Sequence, residues 1–187
     1  MKNSEFIIGE VPITKEEIRA VSISKLELLK AKKLIDIGSG TGSITVEAAI
    51  KYSNLEVIAV EANESAYELT RKNIEKFDLK NVKQIKAMAP LNKNEIDFKE
   101  IDAIFIGGSK NNLKEILIWS HSILRNGGKI VANFILLESF FECKSILKGC
   151  GYNNIEVSQI SVSNMEKLGR GNYFKPQNPI FIVSASK

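Results

Sequence analysis

The chain has 187 residues, 44% of them hydrophobic and 26% charged, with a formal net charge of +4. This is the size and mixture of one ordinary globular domain, spanning residues 1–187. No run of about 18 apolar residues is available to span a bilayer and no apolar signal core follows Met1, so the expected setting is the cytoplasm, with no membrane partner.

In chain order, Thr14-Lys15-Glu16-Glu17 has the spacing of a capping box and predicts a helix running to about Leu29. Short, mostly apolar runs at 34–37, 57–60, 82–85, 101–106 and 129–134 have the character of strands buried on both faces. Between them, segments 44–52, 65–77, 113–124 and 136–150 carry apolar residues at three- and four-residue intervals, the spacing of amphipathic helices. Such alternation predicts an α/β fold, a mostly parallel sheet with helices on both faces. Beyond Gly149 and Gly151 come two β-rich runs, 155–162 and 179–184, separated by a loop containing Gly169, Gly171 and Pro176. No crossover helix fits between them, so they are expected to pair antiparallel. The single histidine, His121, falls mid-helix after Trp119 and reads as packing. With Cys143 and Cys150 as the only cysteines, neither a disulfide framework nor a metal centre is expected.

The first strand runs into Asp36-Ile37-Gly38-Ser39-Gly40-Thr41-Gly42-Ser43. Glycines at this point let the backbone turn sharply and approach a ligand closely, and ligands of open α/β sheets bind outside the carboxyl ends of the strands. A dinucleotide fingerprint, G-x-G-x-x-G, would need glycine at position 43, where Ser43 stands. Asp36 could accept from loop amides or from a ligand ammonium. Glu61, directly after the second strand, can accept hydrogen bonds from both hydroxyls of a ribose, or serve as a charge ahead of an Asn63-capped helix. A nucleoside with an amino-acid tail fits these residues better than a dinucleotide does.

The D-x-G-x-G-x-G loop resembles that of the class I S-adenosylmethionine-dependent methyltransferases, whose Rossmann-like, seven-stranded sheet also ends in an antiparallel strand. Several further stretches are more specific: Val11 to Arg19, Gly38 to Glu47, Ala89-Pro90, Ile106-Gly107-Gly108-Ser109, Ile135 to Glu138 and Asn178 to Ile182. Over nearly the full length they look like the decarboxylating C15-methyltransferases of corrin biosynthesis, which act on precorrin-6B or cobalt-precorrin-6B. The free-standing size points to the cobalt branch.

This resemblance implies S-adenosyl-L-methionine as methyl donor, with contacts at Thr14, Gly38, Ser39, Gly40, Thr41, Gly42, Glu61 and Ala89. It implies a polycarboxylate tetrapyrrole as substrate, for which Gly107, Gly108, Ser109, Lys110 and Arg170 are candidate contacts by their position in this chain. Where the family usually has Gly-Asp before Ala-Pro, this chain has Ala87-Met88, so adenine must rely on backbone groups and packing. Arg19, Lys110, Arg125, Lys167 and Arg170 are candidate cations for substrate carboxylates. No catalytic side chain is assigned, because a conjugated macrocycle is its own carbon nucleophile. A homo-oligomer is expected, and nucleic acid is not a partner. The rival readings are an RNA or tRNA methyltransferase, which the lack of a basic tail disfavours, and a nicotinamide-dependent oxidoreductase.

Overall fold

The computed structural model describes residues 1–92, 100–109 and 112–187. Within them, strands β1 (Lys33–Ile37), β2 (Glu56–Glu61), β3 (Val82–Lys86), β4 (Ile101–Ile106) and β5 (Leu124–Phe134) lie parallel. β6 (Asn153–Ile160) and β9 (Ile180–Ser186) complete one sheet of order β3-β2-β1-β4-β5-β9-β6. β9 runs antiparallel to both its neighbours, as the absence of a crossover helix requires. The order reverses between β1 and β4, and the carboxyl ends of those two strands open the crevice where such sheets bind ligands.

Alternate residues of each central strand serve opposite cores. Leu34, Ala103, Phe105 and Val131 pack toward α1 (Glu16–Lys25) and α2 (Ser43–Lys51). Ile35, Ile104, Ile106 and Ile130 pack toward α4 (Leu113–Ile123) and α5 (Leu137–Gly149). Burial on both faces explains why these strands read as continuous apolar runs. α3 (Glu64–Lys76) begins at Asn63, whose side chain accepts from the Ala66 amide. Its buried positions, Ala66, Leu69, Thr70 and Asn73, fall on one stripe.

Three local expectations are corrected. The capping box at Thr14 does not form: Lys15 is the N-cap, without a side-chain bond, and the Thr14 carbonyl instead accepts from Arg19 Nη1 at 2.7 Å. The helix stops at Lys25 because Glu27 turns left-handed (φ 52°), which lets both Leu26 and Leu28 enter the core. α4 follows Asn112, which occupies the N-cap position without a side-chain bond. The stretch around Gly169 is not an open loop but a two-stranded hairpin, β7 (Ser163–Leu168) and β8 (Gly171–Pro176). No helix among the described residues is long and apolar enough to cross a membrane.

Candidate active site

β1 ends in the glycine loop, and the loop is over-determined. Gly38, Gly40 and Gly42 all take positive φ, 70°, 60° and 75°. A Cβ on Gly38 would lie 2.7–2.9 Å from the backbone of Gly108, so the ends of β1 and β4 touch backbone to backbone. A Cβ on Gly42 would meet Thr70 at 2.9 Å. The amides of Gly38 and Ser39 donate to the Val60 carbonyl, and that of Gly42 to the Ser39 carbonyl. Glu61 closes the set: Oε2 accepts from the Gly40 amide at 3.0 Å and Oε1 from the Asn63 amide at 2.8 Å. A carboxylate has about four acceptor positions, so Glu61 keeps capacity for two ligand hydroxyls.

Asn73 joins this loop to the N-terminal segment. Its Nδ2 donates to the Thr41 carbonyl (2.9 Å) and to the Ile7 carbonyl (3.0 Å), while its Oδ1 accepts from the Ile7 amide (2.7 Å). Residues 7–14 are thereby held beside the loop as a strap. Arg19, fully buried, fastens the other end. It pairs with Glu47 (2.6 Å), donates to the carbonyls of Thr14 and Met1 and to Asn3 Oδ1, and lies 4.9 Å over the Phe6 ring. Its expected role with a substrate carboxylate is therefore corrected: it is fully buried and all three guanidinium nitrogens donate to protein groups.

Asp36 is buried beneath the loop. It accepts from Thr45 Oγ1 at 2.6 Å rather than from the loop amides, and its Oδ1 has no protein partner. Burial pushes its carboxyl up to about 7; the Thr45 hydrogen bonds oppose that rise and the nearby Glu61 charge adds to it.

Two cavities flank the strap. The first, about 750 Å³, is lined by Val11 and Pro12 of the strap, Gly38 and Gly40, Glu61, Met88 and Ala89, and reaches Gly108 and Ser109. Its carboxylates are Glu10 and Glu61, and among the described residues no lysine or arginine lines it. The second, about 310 Å³, lies across Pro12 and is bounded by Thr14, Lys15, Gly107, Phe134, Ile135 and Asn178. Gly38, Gly40, Glu61 and Ala89 are thus brought together. Ser39, Thr41 and Gly42 instead face α3, Ser39 Oγ standing 3.2 Å from Thr70 Oγ1, and Thr14 belongs to the second cavity.

Lys110 lies outside the described residues. Arg125 pairs with Asp102 near the amino end of β4, away from the loop. Although burial alone would raise the Asp102 carboxyl, Arg125 and the amides of Lys32 and Lys33 hold it below its usual value. Lys167 and Arg170 sit on the exposed hairpin. Lys15 and Asn73 were invisible as site residues in the sequence, although Lys15 lies within the Val11–Arg19 stretch that carries the resemblance.

The chain matches the family model described as a precorrin methyltransferase domain over residues 7–187. It is 44% identical over 187 residues to the probable cobalt-precorrin-6B C(15)-methyltransferase (decarboxylating) of Sulfurisphaera tokodaii, covering 99% of this chain and 96% of that protein. It is 38% identical over 188 residues to the cobalt-precorrin-6B C(15)-methyltransferase (decarboxylating) of Salmonella typhimurium, covering 100% and 96%. The crystal structure of precorrin-6y C5,15-methyltransferase from Geobacter metallireducens superposes with a TM-score of 0.91 at 33% identity, covering 100% of this chain and 95% of that one. With a Rossmann-like methyltransferase sheet, a glycine loop at its switch point and these relatives along its whole length, the chain belongs to the precorrin methyltransferase family.

Proposed function

We propose that this protein transfers the methyl group of S-adenosylmethionine to C15 of cobalt-precorrin-6B and releases the ring C acetate carboxyl as CO2, giving cobalt-precorrin-7. The observation that carries this reading is the pair of cavities meeting at Pro12 and at Gly107–Gly108: among the described residues the first carries two carboxylates and no lysine or arginine, and the second carries Lys15 and no carboxylate. A ligand with a sulfonium and an ammonium suits the first, and a polycarboxylate ring suits the second.

The residues of the first cavity fit the cofactor. Gly40 has no Cβ to fill the space between Val11 and Gly38, and Glu61 retains acceptor positions for a ribose diol. Asp36 does not line the cavity; its Oδ1 stands unpartnered beneath the loop, a buried acceptor that a ligand ammonium could reach only through water. Gly38, Gly40, Glu61 and Ala89 are assigned as direct contacts. Ser39, Thr41 and Gly42 set the loop's shape from the α3 side, and Thr14 serves from across the strap. When bound, the cofactor supplies an electrophilic methyl group.

The chain's part is alignment and desolvation. Gly107, Gly108 and Ser109 form the floor between the cavities, and two glycines leave it open to a planar substrate. Holding donor and acceptor in line can supply about 7–11 kcal/mol of the barrier without any acid or base. The substrate carbon provides the electron pair for the new C–C bond. On decarboxylation the C–C pair returns to the conjugated ring and neutralises the positive charge that methylation leaves there, so no net proton is taken up. An apolar wall of Phe134, Ile135 and Ile180 favours loss of neutral CO2 over retention of a carboxylate. The whole of 1–187 acts as one domain, in the cytoplasm and as a homo-oligomer.

Incubation with S-adenosylmethionine and cobalt-precorrin-6B should yield S-adenosylhomocysteine and CO2 in equal amounts. Formation of neither product, with both ligands present and the protein folded, refutes the proposal.

A further inference from the structure

We infer that Lys15 anchors a peripheral carboxylate of the tetrapyrrole at the second cavity, and that this carboxylate is one retained through the reaction. The inference rests on the substrate class proposed above. It starts from charge. Among the described residues, the second cavity is lined by one cation, Lys15, and by no carboxylate. Two of the candidate cations picked from sequence are engaged elsewhere: Arg19 is consumed inside the strap and Arg125 holds Asp102 at the far end of the sheet.

The lysine is also pre-aimed. Its Nζ donates to the Asn178 carbonyl at 3.1 Å, across 163 residues of sequence, which ties the strap to the segment entering β9. An ammonium has three donors, so this tether leaves two for a ligand. The surroundings favour an ion pair. Ile13, Phe134, Ile135 and Ile180 line the same space. Beyond it Ile135 and Leu136 are 57% and 63% exposed, an apolar shelf for the face of a ring whose carboxylates lie at its rim. An ion pair beside low-dielectric walls is stronger than one in open water.

The chemistry decides which carboxylate is held. An ammonium on the departing acetate would stabilise the anion relative to neutral CO2 and slow the reaction. An ammonium on a retained carboxylate opposes nothing, because that contact is the same before and after methyl transfer. Lys15 is therefore a substrate-binding residue whose effect falls on KM and not on kcat.

The test compares Lys15→Met, Lys15→Arg and Lys15→Glu in steady-state assays with cobalt-precorrin-6B. Loss of one charge-assisted contact should raise the tetrapyrrole KM of K15M by about 10- to 100-fold, with kcat within about two-fold. S-adenosylmethionine affinity should not change, K15R should recover most of the loss, and K15E should be the weakest of the three. Added salt should raise the wild-type KM more steeply than that of K15M. An unchanged KM in K15M, or a fall in kcat at constant KM, overturns the inference. In parallel, binding of uroporphyrin, a stable polycarboxylate tetrapyrrole, is followed by fluorescence on wild type and K15M. If wild type turns over no cobalt-precorrin-6B yet binds uroporphyrin through Lys15, the reaction assignment fails and the anchor stands. If uroporphyrin binds both proteins equally, or neither, the anchor fails.

Discussion

The glycine loop and the β7–β8 hairpin are built in opposite ways. In the loop, the Gly38, Ser39, Gly40 and Gly42 amides all have partners, and two of the glycines are packed against neighbouring backbone or side chain with no room for a methyl group. In the hairpin every strand residue is exposed, with Met165, Leu168 and Phe174 each at least 66% accessible, and within the described residues the two strands form a sheet of their own. Atoms that must be placed to within tenths of an ångström are found where the backbone has no alternative conformation. A ribbon paired only with itself is suited to recognition or assembly, where a looser fit is tolerated.

Substitutions on the two sides should therefore differ in kind. The largest effect belongs to Gly38→Ala. A non-glycine residue at φ 70°, driven into the Gly108 backbone, should cost more than about 2 kcal/mol of stability and abolish S-adenosylmethionine binding by calorimetry. Binding retained within about three-fold would mean that the loop is less constrained than its packing implies.

Asn73→Ala should come next. It removes the hydrogen bonds joining strap and loop and should weaken cofactor affinity by about 10- to 30-fold, with a lower Tm. Leu147→Ala, on the buried face of α5, should lower Tm comparably without changing that affinity. Equal affinities for the two variants would reduce Asn73 to a purely structural residue. Glu61→Ala should weaken cofactor binding by about 1–3 kcal/mol, read in the same titration.

Asp36 offers a pH test of the buried side of the loop. Its carboxyl is raised, so its protonated form favours the folded state. That contribution is complete below the unfolded value near pH 4 and is lost as pH rises through about 7. Asp36→Asn should flatten the fall in Tm between pH 5 and pH 8, and at pH 8 its Tm should exceed that of wild type. Parallel curves for the two proteins would contradict the burial of an uncompensated carboxylate. The smallest effect is expected in the hairpin. Arg170→Ala, at a tip with no tertiary packing to lose, should shift Tm by less than about 1 °C.

The same contrast explains what could be read in advance. The central strands were legible because burial on both faces leaves an apolar run, and α3 because Asn63 caps it with its own side chain. Thr14 misled because the decisive partner of its carbonyl, Arg19, is itself fixed by Glu47, a contact across 28 residues that local spacing does not encode. The hairpin was missed because its strands have no buried face and so no alternation of apolar and polar residues. Its signal was the Gly169-Arg170 pair between two runs of similar length. In the site, glycine spacing and Glu61 were visible, since φ angles and carboxylates belong to residue types. Which of the many cations faces a cavity and which is buried in a clamp is decided by tertiary packing. Arg19 and Lys15, four residues apart, have opposite fates.

The strap also joins what this chain needs in order to work to what it needs in order to fold. Residues 7–14 contribute no strand to the sheet and no helix to either layer. Yet Val11, Pro12 and Thr14 wall the two cavities, and Pro12 is shared by both. A version trimmed to begin just before α1 would open both binding chambers to solvent along one side and at the same time strip buried Arg19 and Asn73 of the Met1, Asn3, Ile7 and Thr14 groups that satisfy them. Its Tm and its ligand affinity should therefore fall together, so a segment with no regular structure of its own is needed both for the chambers and for the fold around them.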